Sequence, residues 1–249
     1  MKIDEYRKAL RESKDWEPYL LKHSGLPGPR GNIELGQAVA DEGDKALFSR
    51  FISLDATAAP VNSPQEFLVF CGTVGFGRLL AEGDASALAV LRRQASDSRW
   101  RTREGVAMAL QRFGDADMDA LLKAMGDWSK GNLLEQRAAI AALCEPRLLT
   151  EKKHTAAVLR ILDTVTRSIA RAQDRKSDEF VALKKGLAYC WSVAAAAYPE
   201  QGKASMEKWF ASGDRDVTWI MKENLKKNRL ARVDAAWVKK WTERLNGLA

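Results

Sequence analysis

The sequence predicts an all-α chain, a right-handed α-α superhelix of about four to five stacked helix pairs. Three observations predict it. Apolar residues recur at helical spacing along the whole chain, whereas alternating β-branched and aromatic runs do not. Gly-Asp pairs and prolines interrupt those stripes at short intervals. Successive stretches repeat one helix–turn–helix length, and such units bury their apolar faces only by stacking.

Taken in chain order, residues 1–42 read as an N-terminal helical cap that ends in the loop Leu26-Pro-Gly-Pro-Arg30-Gly-Asn32. Its prolines fix the backbone, its glycines permit positive φ, and Asn32 is placed to cap a helix beginning near Ile33. Residues 43–230 read as the repeats. DKALFSRFISLDATAAPVNSPQEFLVFCGTVGFGRLL is the first pair and GDASALAVLRRQASDSRWRTREGVAMALQRFG the second. DADMDALLKAMGDWSKGNLLEQRAAIAALCEPRLL is the third, with the stripe Met118, Leu121, Leu122, Met125 and Trp128. A longer pair over about 151–199 carries one stripe from Val158 to Ile169 and another from Phe180 to Trp191. QGKASMEKWFASGDRDVTWIMKENLKKNRL is the last. Gly43-Asp44, Gly83-Asp84 and Gly114-Asp115 are read as stops whose Asp caps the next helix, and Pro60, Pro64, Pro146 and Pro199 as the ends of other segments. Residues 231–249 form a C-terminal capping helix with Trp237, Trp241 and Leu245 on one face, so residues 1–249 are read as a single helical-repeat domain.

Asp97, Arg103, Ala107 and Leu110 are spaced like the second helix of a HEAT repeat, and Arg137 occupies the place of Arg103 in the next unit. The chain thus resembles HEAT-like, ARM-type solenoids. In that family such Asp and Arg residues form a ladder between repeats, so the resemblance implies a structural role for Asp97, Arg103 and Arg137. The helical wheel agrees, since Arg103 borders Leu110 and Arg137 borders Cys144.

Composition bounds the function. The 249 residues carry 40 Lys and Arg against 33 Asp and Glu, a net charge of +7, which favours an anionic partner. No apolar run is long enough for a membrane span, and the charged N-terminal stretch MKIDEYRKALRESKDWEPYL has no signal-peptide core. Cys71, Cys144 and Cys190 lie far apart in apolar helical patterns, as reduced thiols of a cytoplasmic protein would. His23 and His154 lack ligand-type neighbours in sequence, so neither a metal nor a cofactor is expected. Gly72-Thr-Val-Gly-Phe-Gly77 is neither a dinucleotide fingerprint nor a P-loop, and close helix packing is its expected use.

The strongest binding candidate is a helix read from Asp214 to Leu230. Val217, Ile220, Met221 and Leu225 share one side of it, while Trp219, Lys222, Lys226 and Arg229 share the other. An indole among cations suits nucleic acid, since it stacks on a base or sugar while Lys and Arg neutralise phosphates. Arg30 in the loop and Trp100 are secondary binding candidates. Glu104, one turn after Trp100, is the one weak catalytic candidate, a carboxylate beside an aromatic and arginines.

Two stretches resemble the DNA alkylation repair branch of HEAT-like proteins, glycosylases that hold damaged duplex DNA in a basic groove. They are Trp219-Ile-Met-Lys-Glu-Asn224 with Trp237-Val-Lys-Lys, and Trp128-Ser-Lys-Gly-Asn leading to Glu-Gln-Arg137-Ala-Ala-Ile140. That family's reaction uses an Asp four residues after a Trp, and here the comparable spacing joins Trp100 to Glu104. The resemblance implies a DNA partner, while the departure leaves the activity in doubt. The expectation is therefore a non-catalytic scaffold that presents a basic, Trp-bearing surface to DNA or RNA. A glycosylase-like enzyme is the first alternative, and an adaptor for an acidic or other protein partner is the second.

Overall fold

The computed structural model describes residues 3–247. Among the described residues the regular structure is helical: fifteen α-helices, one 3-10 turn at Pro146–Leu148, and no strand. None of these helices is long and apolar enough to cross a membrane. The chain divides into two compact units, Met1–Asp117 and Met118–Ala249.

The first unit contains α1 (Ile3–Glu12), α2 (Glu17–His23), α3 (Ile33–Glu42), α4 (Lys45–Ile52), α5 (Pro64–Ala81), α6 (Ser86–Gln94) and α7 (Trp100–Ala116). Helix α5 is apolar around its whole circumference and is accordingly buried, with α2, α3, α4, α6 and α7 packed about it. Its glycines make that possible. A Cβ at Gly72 would come within 3.0 Å of Phe48 and Phe51, one at Gly75 would strike the Phe48 ring, and one at Gly77 would strike the Ala109 backbone of α7. Helix caps follow the chemistry read from the sequence: Asn32, Asp44 and Ser63 each accept a backbone N–H in the first turn of α3, α4 and α5. Pro64, however, opens α5 at its first turn, where its missing N–H costs nothing.

Two clusters of charge tie the unit's helices together. Arg7 and Arg11 of α1 both donate to the Glu42 carboxylate of α3, at 2.6–2.7 Å. Arg78 of α5 donates to the Asp41 and Gly43 carbonyls, which the end of α3 leaves without intrahelical donors.

The second unit contains α8 (Met118–Trp128), α9 (Leu133–Leu143), α10 (Lys152–Arg171), α11 (Asp178–Ala197), α12 (Pro199–Phe210), α13 (Arg215–Leu225), α14 (Asn228–Val233) and α15 (Ala235–Asn246). Here α11 is the central element, packed on α9, α10, α12, α13 and α14. Trp191 is fully buried and its indole N–H donates to Thr166 Oγ1 of α10 at 3.0 Å, so the polar atom enters the core with a partner. Gly202 lets α12 lie directly against Ala195. In both units consecutive helices pair, α4 with α5, α6 with α7, α8 with α9, α10 with α11 and α12 with α13. The second helices of neighbouring pairs also pack, α5 on α7 in one unit and α9 and α13 on α11 in the other.

Three expectations need correction. Gly114-Asp115 does not stop a helix, because α7 continues to Ala116. Gly114 is not among the positive-φ glycines and stays buried in the helix, where it costs about 1 kcal/mol relative to Ala but breaks nothing. The helix read from Asp214 to Leu230 is two helices, broken at Lys226 and Lys227. Leu225 and Leu230 are both buried, yet five residues of continuous helix would turn them roughly 140° apart. Extended backbone at Lys227 brings both into the core. Finally, His154 does have carboxylate neighbours: Nε2 lies 3.0 Å from Asp119 Oδ1, far away in sequence, and Nδ1 lies 3.9 Å from Glu151, one turn earlier. Among the described residues no group of His, Cys, Asp and Glu is arranged to hold a metal ion.

Candidate functional site

Chemistry-bearing side chains converge at one place in each unit. In the second unit the break between α13 and α14 turns four cations, Lys226, Lys227, Arg229 and Arg232, onto a groove of about 690 Å³. Its floor is small and apolar, made by Leu149, Val193, Ala196 and Ala197, and no carboxylate lines it. Lys226 pairs with Glu223 at 2.5 Å, one helical turn back. Arg229 is held over the ring of Tyr189 on α11, 4.5 Å from its centroid, and donates to the Tyr189 hydroxyl. Among the described residues Lys227 and Arg232 have no ion-pair partner, so their charge is available to a ligand.

Of the predicted binding set, Lys226 and Arg229 therefore line this groove, while Trp219 and Lys222 sit earlier on α13 and do not. Trp219 is 37% exposed and is not part of the cluster in which Phe210 meets the tilted rings of Trp237 and Trp241. One face of its indole is covered by the Lys184 ammonium, 4.7 Å from the ring centroid. Lys184 is itself committed, donating to Asp216 Oδ1 at 2.9 Å, while Arg175 donates to Asp216 Oδ2 and reaches Asp214. Burial pushes the Asp216 carboxyl up, but the hydrogen bonds from Lys184 and Arg175 outweigh it and hold the group below its ordinary value. The cluster fixes the start of α13 on α11. Its cation–π contact is a clamp rather than an open platform.

In the first unit the loop 25–32 and the start of α7 form a cleft of about 120 Å³. Phe67 and Phe70 give it an apolar wall, and Arg30, Trp100, Arg101 and Glu104 complete the lining. Three of the sequence candidates thus line one cleft, Arg30 from the loop and Trp100 with Glu104 from the start of α7. Arg101 is the bracket. It is buried, donates to the Gly28 carbonyl at 2.7 Å, reaches Glu66 at 3.5 Å and lies 5.3 Å from the Trp100 ring centroid. Trp100 remains 44% exposed, and Arg30 meets Glu34 only at 3.5 Å. A cavity of this size is of the class that encloses a single aromatic ring.

The ladder residues are placed as follows. The Asp97 carboxylate accepts three hydrogen bonds from Arg99, two from its guanidinium at 2.7 and 2.9 Å and one from its backbone N–H at 2.8 Å. Arg103 donates to the backbone carbonyls of Asp97 and Ser98, and the Arg137 stem lies against Gly186 of α11. Sequence reasoning missed Tyr189, Lys227, Arg232 and Arg101. Lys227 lies at the α13–α14 break and Arg232 on α14, a break with no sequence signal, and Tyr189 comes from α11 through a contact distant in sequence; Arg101 was legible as a cation beside Trp100 but not as the anchor of a loop far away in sequence.

Comparison with protein-family models, with curated proteins and with solved structures finds no match for this chain.

Proposed function

We propose that this chain is a HEAT-like scaffold, a superhelix of helix pairs, that binds nucleic acid without catalysis through the basic groove of α13 and α14. Pairing of consecutive helices within each unit supports the repeat reading. The observation that carries the partner is the convergence of Lys226, Lys227, Arg229 and Arg232 on one groove that no carboxylate lines. A concavity ringed by cations focuses positive potential and neutralises phosphates with release of their counterions. Binding is read by fluorescence anisotropy with labelled DNA and RNA at low salt. Lys226→Glu/Arg229→Glu is expected to weaken it about tenfold or more. Absence of binding to either nucleic acid at low salt refutes the proposal, and salt-insensitive capture of a protein partner would favour the adaptor.

The cleft of the first unit favours a second reading, a base-releasing enzyme similar to the alkylation repair glycosylases. Trp100 and Glu104 lie one turn apart at its lining, Arg30 joins them from the loop, and its aromatic wall suits a planar ring. The carboxylate of Glu104 would then stabilise the positive charge that develops on the sugar as the base leaves. Release of base from alkylated DNA, abolished in Glu104→Gln, would establish this reading; undiminished release in that variant would remove it.

A further inference from the structure

We infer that the α13–α14 groove takes a single-stranded segment of nucleic acid in preference to a duplex, with phosphates on its cations and sugars on its apolar floor. The inference rests on the nucleic-acid reading above and specifies its ligand.

The shape and the lining of the groove carry it. A duplex presents its phosphates on an outward-facing surface and keeps its bases stacked inside. Against this groove it would meet the rim cations and leave the floor of Leu149, Val193, Ala196 and Ala197 covered by water. A single strand has sugars and base faces free to turn inward and cover that floor, which gains the hydrophobic term as well as the electrostatic one. The groove is open, with a volume of about 690 Å³, so a flexible strand can enter it along its length. Tyr189 orients one of the lining cations, since Arg229 lies over its ring and donates to its hydroxyl.

The lining also predicts little sequence preference. Apart from the four cations, the one polar side chain on it is Asn228, so there is no set of donors and acceptors with which to read base edges. Fixed and free charges divide the work. Lys226 and Arg229 are oriented by Glu223 and Tyr189, whereas Lys227 and Arg232 have no ion-pair partner among the described residues and are free to follow a flexible backbone.

The test compares a labelled single strand of about 20 nucleotides and mixed sequence with the duplex of the same sequence, by anisotropy on the full chain at low salt. The single strand is expected to bind about tenfold tighter or more. Ala196→Phe fills the floor without changing charge, and is expected to weaken the single strand while leaving the duplex unchanged. Lys227→Glu/Arg232→Glu alters surface side chains only, and keeps the test open were Ala196→Phe to misfold; it is expected to weaken the single strand about tenfold and the duplex less. A duplex that binds as tightly as the single strand, or a folded Ala196→Phe with unchanged single-strand affinity, overturns the inference but leaves the nucleic-acid reading standing. Failure of both forms to bind overturns both.

Discussion

At the scale of the residue, Trp219 shows how far a helical wheel reaches. Its position opposite Val217, Ile220 and Met221 is legible from spacing alone, and the residue is indeed exposed while those three are buried. What spacing cannot supply is the partner. Lys184 arrives from another helix, is anchored by Asp216, and occupies a face of the indole that a base would otherwise use. Removing Trp219 is therefore expected to change the start of α13 more than the ligand. Trp219→Ala should leave nucleic-acid affinity within about twofold while lowering the melting temperature, because a partly exposed cation–π contact and its packing are lost. A tenfold loss of affinity in a variant with unchanged melting would return the indole to the binding surface. Arg30, Trp100 and Glu104 teach the complementary lesson. Trp100 and Glu104 are legible as a pair one turn apart and Arg30 only as a loop cation, and their assembly around one cleft depends on Arg101 holding the Gly28 carbonyl, a long-range hydrogen bond that no local pattern encodes.

At the scale of the element, most helices were legible because their stripes are long and their caps chemically explicit. The stripes from Met118, Val158 and Phe180 fall within α8, α10 and α11, and Asn32 caps α3 as its side chain suggests. Boundaries failed where burial overrode local signals. Gly114 lies inside α7, and the break at Lys226 and Lys227 has neither glycine nor proline to announce it. Only the joint burial of Leu225 and Leu230 demands that break, and it is what turns the four cations onto one groove. The clasp between α1 and α3 gives this scale its own prediction. The hydrogen bond from Arg11, joined by that from Arg7 and opposed by partial burial, holds the Glu42 carboxyl at about 2 against an ordinary 4.5. Because the folded value is the lower one, the clasp's contribution is fully present above pH 4.5 and is lost as pH falls through about 2. Glu42→Gln should lower the melting temperature by about 2–4 °C at neutral pH, an exposed clasp contributing modestly. The gap between variant and parent should close as the pH approaches 2, followed by thermal melts across that range. A gap that persists unchanged at low pH would mean that the carboxylate charge is not what joins the two helices.

At the scale of the whole molecule, the question is how a net charge of +7 is used. It is a small excess of 40 basic over 33 acidic residues, and much of the basic set is spent internally. Arg7 and Arg11 close on Glu42, Arg99 on Asp97, Arg112 on Asp41, and Arg175 with Lys184 on Asp214 and Asp216. Net charge read from composition suggests a diffuse attraction for polyanions; the α13–α14 groove instead gathers four cations on one lining with no carboxylate among them. The two pictures differ in the number of phosphates neutralised, which salt dependence counts directly. If the four groove cations carry binding, log K against log salt should fall with a slope of about −3 for a single strand, about 0.7 per phosphate contact. Lys227→Glu/Arg232→Glu should reduce that slope by about 1.4, one step for each contact removed. A slope of about −6 or steeper in the parent, little changed in the double variant, would show that the surface at large holds the ligand. Titrations at several salt concentrations on one oligonucleotide thus distinguish a built groove from a merely basic protein, whatever the absolute affinity.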